Sequence, residues 1–326
     1  MPPANAFQGL RDTLKRPLHD LRISVTDRCN FRCGYCMPRD VFGKGHRFLP
    51  RRELLSYEEI ETLARVFAGL GVRKLRLTGG EPLIRHDLEI LVEKLAAVPG
   101  ISDLSLTTNA SLLSAKRARS LHEAGLMRLN ISLDALDDAT YKRINDVDFP
   151  VSDVLAGIDN ARSAGFDLVK VNMVVQKGVN EHAIVPMARH FRGSGVVLRF
   201  IEFMDVGNSN QWDLSQVFSA REILDALNAE LPLEPLDPNY RGEVARRWRY
   251  LDNSGEVGVI SSITQPFCRD CARARLSAVG ELYTCLFAGS GHDLRRLLRE
   301  GAGEQELIRA VADIWRQRDD RYSELR

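Results

Sequence analysis

Short apolar runs and amphipathic stretches alternate along the first two-thirds of the chain. The runs Leu21–Val25, Lys74–Thr78, Leu104–Thr107, Leu129–Leu133, Leu168–Val175 and Val196–Phe203 are brief and rich in Leu or β-branched residues. Each predicts a strand. Apolar positions at helical spacing predict helices over Ser56–Leu70, Asp87–Ala97, Ser114–Ala124, Asp153–Ala164 and Glu181–Phe191. Ser56 followed by Glu59 is a capping box, and Gly71, Gly125, Gly165 and Gly195 stand where left-handed backbone ends a helix. Six strand–helix units in succession predict an α/β fold built on a parallel barrel. Eight units would close it, so six leave a partial (βα)6 TIM-like barrel.

After Phe203 the pattern changes. Asn208–Ser215 reads as a loop, Ser219–Ala229 as a helix, and Pro232–Gly242 as a second loop. Val244–Leu251 and Glu256–Ile263 read as strands joined at Asn253-Ser254-Gly255. Arg275–Leu286 reads as a hairpin turning at Val279-Gly280, and Asp293–Arg299 and Glu304–Arg316 as helices. The expected division is residues 1–207 for the barrel and 208–326 for a C-terminal region that closes it.

Cysteines change this picture most. Cys29, Cys33 and Cys36 follow the first strand with C-x3-C-x2-C spacing. Three thiolates can hold three corners of an iron–sulfur cube and leave the fourth iron open to a ligand. A zinc site would want a fourth Cys or His nearby, and none precedes His46. Cys268, Cys271 and Cys285 form a second triplet, which taken alone fits zinc or iron–sulfur. All six cysteines of the chain fall in these two groups, which argues for metal rather than disulfides.

Gly79-Gly80-Glu81-Pro82 follows the second strand. In a parallel barrel the loops after the strands build the active site. There the glycines allow close backbone approach to a ligand and Glu81 can face an ammonium. Ser132 ends the fourth strand, placed to meet a ribose. Charged residues inside strands are the clue to substrate. Lys74 and Arg76 share a face, as do Arg273 and Arg275, and Arg22, Lys170 and Arg199 also lie in strand-like runs. Glu202 is the one acidic residue expected on these strands. Cations pointing into one barrel would repel unless an anion such as a triphosphate neutralised them.

The segments Thr-Asp-Arg-Cys-Asn-Phe-Arg-Cys-Gly-Tyr-Cys-Met-Pro and Gly-Gly-Glu-Pro resemble the radical S-adenosylmethionine (SAM) superfamily. The resemblance narrows with Leu-Asn-Ile-Ser-Leu-Asp, Val-Lys-Val-Asn, Arg-Phe-Ile-Glu-Phe-Met-Asp and Pro-Phe-Cys-Arg-Asp-Cys-Ala-Arg-Ala-Arg-Leu-Ser. From about Leu21 to Leu325 the chain resembles the GTP 3′,8-cyclase family of molybdenum-cofactor biosynthesis. The resemblance implies two [4Fe-4S] clusters, one on each cysteine triplet. It implies SAM at the first, contacted by Tyr35, Gly80, Ser132 and Met204. It implies GTP with its guanine on the second, contacted by Arg22, Arg76, Thr108, Lys170, Arg273 and Arg275, with Lys74 and Arg199 helping. One-electron cleavage of SAM would give a 5′-deoxyadenosyl radical that takes the ribose 3′ hydrogen. The product would be (8S)-3′,8-cyclo-7,8-dihydroguanosine 5′-triphosphate, with no side chain assigned a catalytic role beyond holding the cluster-bound SAM. Implied partners are a reductase or flavodoxin-like electron donor, a downstream cyclic pyranopterin monophosphate synthase, and a second copy in a homodimer.

Two departures from the family pattern stand out. Ala110 replaces the Gly expected after Thr-Thr-Asn, and the chain ends Tyr322-Ser-Glu-Leu-Arg326 where the family has Gly-Gly. The expectation is that this chain binds both clusters, SAM and GTP but forms little cyclised product. The net charge of +1 draws in no nucleic acid, and no run is long enough to span a membrane. Clusters want a reducing compartment, so the cytoplasm is expected.

Overall fold

A computed structural model describes residues 9–205, 212–240 and 242–325. The strands are β1 (Asp20–Ser24), β2 (Lys74–Thr78), β3 (Asp103–Thr108), β4 (Arg128–Ser132), β5 (Leu168–Val175), β6 (Val197–Glu202), β7 (Leu233–Leu236), β8 (Arg246–Tyr250), β9 (Glu256–Ile260), β10 (Arg273–Leu276), β11 (Glu281–Tyr283) and β12 (His292–Asp293). The helices are α1 (Arg39–Phe42), α2 (Tyr57–Gly69), α3 (Leu88–Ala96), α4 (Ala115–Glu123), α5 (Asp138–Asn145), α6 (Val151–Ser163), α7 (Ile184–Phe191), α8 (Ala220–Asn228), α9 (Leu294–Arg299), α10 (Glu304–Arg316) and α11 (Tyr322–Leu325). The loop expected over Asn208–Ser215 lies outside the described residues up to 211.

All strands belong to one sheet of order β12-β11-β10-β1-β2-β3-β4-β5-β6-β9-β8-β7. The six expected strands are its centre. The C-terminal region adds β9 parallel to β6 on one side and β10 parallel to β1 on the other. Eight parallel strands therefore stand side by side, each outer pair capped by an antiparallel ribbon. The order is linear and the sheet stays open.

Alternation along the strands sorts the side chains. Leu21, Ile23, Leu75, Leu77, Leu104, Leu106, Leu129 and Ile131 are fully buried in the main apolar core. The alternate residues line the other face, and the register sets them in rows: Arg275, Arg22, Arg76, Ser105 and Arg128 are successive partners. Helix α2 begins with the expected capping box: Ser56 Oγ accepts from Glu59 N at 3.1 Å, and Glu59 Oε2 from Ser56 N at 2.7 Å. Its Ile60, Leu63, Ala64 and Phe67 form the buried stripe.

Some elements differ from expectation. Strand β7 forms where a loop was expected, because Pro235 sits on an edge strand, where a missing N–H costs no ladder bond. Helix α5 interrupts the polar stretch after β4. Asp137 caps it by accepting from Thr140 N at 2.7 Å, and its buried Tyr141 and Ile144 are too few to show as periodicity. The hairpin expected from Arg275 starts at Arg273, and Gly280 turns it with φ of 83°.

Ala110 adopts φ of 58°. The left-handed region disfavours any side chain, so this departure strains the turn after β3. Its methyl packs near Gly157 of α6, so a small contact is lost with it. Ala110→Gly is expected to stabilise the protein by about 1 kcal/mol, read as a raised urea midpoint. An unchanged or lowered midpoint would show that the methyl contact dominates.

Candidate active site

The first cysteine loop leaves the C-terminal end of β1 and is fixed from three sides. Arg32 donates through Nη1 to Cys29 O at 2.8 Å and through Nε to Phe42 O at 2.8 Å. Arg32 N and Gly34 N donate to the carbonyls of Asn145 and Ile144, at 2.9 and 3.1 Å. Those are end carbonyls of α5 that lack helical partners, so the helix missed in the sequence anchors the loop. Cys36 N and Met37 N close a turn on Cys33 O, and Phe31 N donates to Cys29 Sγ at 3.4 Å. Burial raises all three thiols, Cys33 well above the ordinary range and Cys36 to about 11. Bound metal must displace their protons.

The Gly-Gly segment is explained by this loop. Gly80 N donates to Thr26 O and Glu81 N to Arg28 O, both at 2.8 Å. A Cβ on Gly80 would lie 2.1 Å from Arg28 O and 2.9 Å from Cys29 N. The glycine makes room for the cysteine loop itself. Glu81 is buried, and burial raises its carboxyl to about 7 against the pull of its hydrogen bonds. It accepts from Asn109 N at 2.7 Å, Leu83 N at 3.0 Å and the Thr108 hydroxyl at 2.7 Å.

Thr108 is thereby placed away from the cations. It shares strand parity with Leu104 and Leu106 and is buried, its hydroxyl also accepting from Ala110 N. Thr107 has the parity of Ser105 and pairs with Asn130. Tyr35 donates to Asp134 Oδ2 at 2.9 Å, and Asp134 Oδ1 accepts from Val174 N at 2.8 Å. Burial raises the Asp134 carboxyl to about 6. Asp134 follows β4, whose last residue is Ser132. Met204 lies past the end of β6 and lines a cavity on the cationic face.

That cavity gathers Cys268, Cys271 and Cys285 with Arg22, Lys74, Arg76, Arg199, Arg273 and Arg275. Cys271 lies just before β10, which runs parallel to β1, whereas Cys29 lies just after β1. The two triplets therefore occupy opposite ends of the parallel strands, with the cations between them. Asp20 and Asp103 begin β1 and β3 on the cationic face, an acidic contribution missed in the sequence. Lys74 Nζ stands 3.4 Å from Asp103, Arg128 Nε donates to Asp103 at 2.9 Å, and Arg199 is 4.0 Å from Glu243. Among the described residues, Arg22, Arg76, Arg273 and Arg275 form no ion pair; Arg273 lies 4.9 Å from the Phe267 ring centre, and its buried Nη2 has no hydrogen-bond partner. Burial and mutual repulsion lower Arg76 and Arg275 to about 10, and Arg22 well below its ordinary value.

Lys170 sits on the same face but not in the cavity wall. Burial, then Arg199 and Arg128, lowers it to about 7. A polyanion would raise it again. Binding of a triphosphate above pH 7 is expected to take up as much as about one proton and to weaken as pH rises from 7 towards 10. Calorimetry in buffers of different ionisation enthalpy measures this; heats independent of buffer at pH 8 would refute it.

Two further arginines hold the second triplet. Asp12 Oδ2 accepts from Arg16 Nε at 2.6 Å and Arg318 Nη1 at 3.0 Å, all three side chains being at most 1% exposed. Arg16 Nη1 donates to Cys268 O and Arg318 Nη1 to Cys271 O, each at 2.8 Å, and Arg318 Nε donates to Thr284 O at 3.0 Å. Burial would raise the Cys271 thiol, but Arg273 and Arg318 outweigh it and bring it to about 7. All six cysteines are free, and among the described residues no three His, Cys, Asp or Glu side chains are arranged to hold a single metal ion.

A parallel barrel with a three-cysteine loop after its first strand defines a radical SAM protein, and the Radical SAM superfamily profile matches residues 23–191. The profile for Molybdenum Cofactor Synthesis C matches residues 196–324. The chain belongs to the GTP 3′,8-cyclase family. The GTP 3′,8-cyclase of Acidothermus cellulolyticus is 56% identical over 98% of this chain and 89% of its own length. Those of Xanthomonas campestris and Staphylococcus aureus are 51% and 48% identical, over 100% and 98% of this chain and 95% and 94% of their own. In fold, Streptococcus suis SuiB bound to S-adenosylmethionine matches 95% of this chain and 68% of its own with a TM-score of 0.64 at 15% identity. SAM-bound anSMEcpe matches 89% of this chain and 80% of its own with a TM-score of 0.55, also at 15% identity. No helix among the described residues is long and apolar enough to cross a membrane.

Proposed function

We propose that this GTP 3′,8-cyclase works with two [4Fe-4S] clusters at opposite ends of its barrel, in the cytoplasm and with an external one-electron donor. Cys29, Cys33 and Cys36 would hold the first, and Cys268, Cys271 and Cys285 the second. Residues 1–207 bind SAM and residues 208–326 complete the substrate site. When bound, the first cluster supplies the electron that cleaves SAM. Gly80 keeps its loop in place, and Tyr35, fixed by Asp134, packs with Ser132 and Met204 around SAM. Arg22, Arg76, Arg273 and Arg275 with Lys170 neutralise the triphosphate of GTP. Thr107 is better turned towards it than Thr108, which braces Glu81. The barrel walls hold the ribose between the two ends and keep water away.

One observation carries this reading: among the described residues, four guanidiniums that form no ion pair share a cavity with three thiols, opposite the first cysteine loop. Asp20 is the carboxylate near them, and an anionic ligand would neutralise the rest of the row. Anaerobic incubation with SAM, GTP and reductant should yield 5′-deoxyadenosine and cyclised nucleotide. Cys271→Ala should keep some SAM cleavage and lose cyclisation. Arg273→Ala with Arg275→Ala should keep both clusters but weaken GTP binding, each lost phosphate contact costing about 1.5–3 kcal/mol. Wild-type GTP affinity in the double variant would reduce these arginines to structural cations.

A further inference from the structure

Glu202 ends β6, and its side chain is fully buried. It holds three elements together. Oε1 accepts from the N–H of Ala220, the first residue of α8, at 2.7 Å, and from the Thr264 hydroxyl. Oε2 accepts from Ile263 N at 2.7 Å and from Thr264 N at 2.9 Å. Four donors thus fill both oxygens, which is how a carboxylate is kept in a dry interior. The β6–β9 ladder does not depend on these bonds, since it runs from Leu198 to Ile201 without them.

Residues 261–272 join β9 to β10, the outer strands of the parallel array. Both strands run parallel to their neighbours, so this segment starts at the end of the barrel that carries the first cysteine loop and finishes at the other end. Its Ser262, Phe267, Cys268 and Cys271 line the cationic cavity together with Ile201 of β6 and Arg273 of β10. The far half is fixed by Arg16 and Arg318 at the carbonyls of Cys268 and Cys271, and by Ala272 O, which accepts from His19 N and Asp20 N at 3.0 Å each. The near half is fixed by Glu202 at Ile263 and Thr264, a few residues before Cys268. Two positions past Glu202 stands Met204, which lines the same cavity.

We propose that Glu202 is a positioning residue for cyclisation. By tying the near end of the crossing segment to β6, it sets where the second triplet and the nucleotide stand relative to SAM. The proposal rests on the assignment of SAM and GTP to opposite ends of the barrel. In the hydrogen transfer the ribose C3′–H bond breaks, a C5′–H bond of 5′-deoxyadenosine forms, and the unpaired electron passes to C3′. The two carbons must meet closely, and a misplacement near 1 Å costs about a hundredfold. Glu202 touches neither of them and acts through the segment it holds.

The test uses the full chain carrying Glu202→Gln, which keeps the shape of the side chain. Either orientation of the amide sets its NH2 against a backbone N–H, that of Ala220 or those of Ile263 and Thr264. Amide hydrogen exchange at residues 263 and 264 is expected to quicken at least about tenfold. Iron content and the electron paramagnetic resonance of each centre should show both clusters in place, and SAM should still be cleaved. With GTP deuterated at C3′, the yield of cyclised nucleotide per 5′-deoxyadenosine should fall at least about tenfold, and the share of 5′-deoxyadenosine carrying deuterium should fall with it. Thr264→Val, which removes one donor and decides the matter should the Gln variant not fold, is expected to lower the same ratio. Wild-type coupling in the variants overturns the proposal. So does loss of the second centre, which would make Glu202 a structural support alone. Wild-type protein that cleaves SAM beside labelled GTP yet transfers no deuterium would instead sink the placement of the two substrates.

Discussion

Gly80→Ala protein is expected to lose the first cluster and keep the second. The added methyl would stand 2.1 Å from Arg28 O and 2.4 Å from Arg28 C, both backbone atoms that no rotamer change can clear. Either the β2 loop withdraws, breaking the Gly80–Thr26 and Glu81–Arg28 hydrogen bonds, or the cysteine loop shifts. Overpacking of this kind costs about 1–3 kcal/mol, which the fold survives. Geometry at the thiols does not survive it: a displacement near 1 Å is enough to cost about a hundredfold in rate. SAM cleavage should fall by at least that factor, and iron content by about half if two cubes of equal size are bound. Full iron content with wild-type cleavage would mean the two loops can part without disturbing the site.

The other large effect is expected at Arg318. Its guanidinium serves Asp12, Cys271 O and Thr284 O at once and lies 4.5 Å from the Trp315 ring. Arg318→Met leaves a buried carboxylate with one cation instead of two and two carbonyls without donors. Breaking such a buried set costs about 3–5 kcal/mol. The second cluster should become labile while the first persists, seen by electron paramagnetic resonance of each centre and by cleavage of SAM without cyclisation. Arg318→Lys should not rescue it, because an ammonium cannot reproduce the planar fork. A stable Met variant with both centres intact would show that Arg16 and Asp12 suffice.

The central strands and the face their cations share are plain in the sequence because period-2 alternation survives in every one of them. Thr108 shows the limit. One residue of slip reverses a side chain, and at a strand end sequence alone does not choose between Thr107 and Thr108. Asp20 and Asp103 were hidden because each opens a strand, where polar residues look like loop. Gly80 was legible as a glycine needed near a ligand, but its actual neighbour is the backbone of another loop 52 to 51 positions earlier, at Arg28 and Cys29. Arg318 carried no signal at all. It belongs to no spacing, and only the fold brings it to the Asp12 carboxylate that Arg16 meets from four residues away.

That meeting of distant residues has a bearing on how the protein is made. The first cysteine loop rests on β2, Gly80 and the end of α5, so everything that shapes it has left the ribosome soon after residue 145. The second triplet rests on Asp12 and Arg318, 306 positions apart, and on β10 pairing back to β1. The Asp12–Arg16 pair is made early, but the support is complete only when β10 and Arg318 join it, after nearly the whole chain has been synthesised. Domains fold as they emerge, so cluster delivery is ordered in time: the SAM end can be charged on a nascent chain, and the substrate end only on a finished one. A stalled or clipped product would then hold the radical-generating half without the half that directs it.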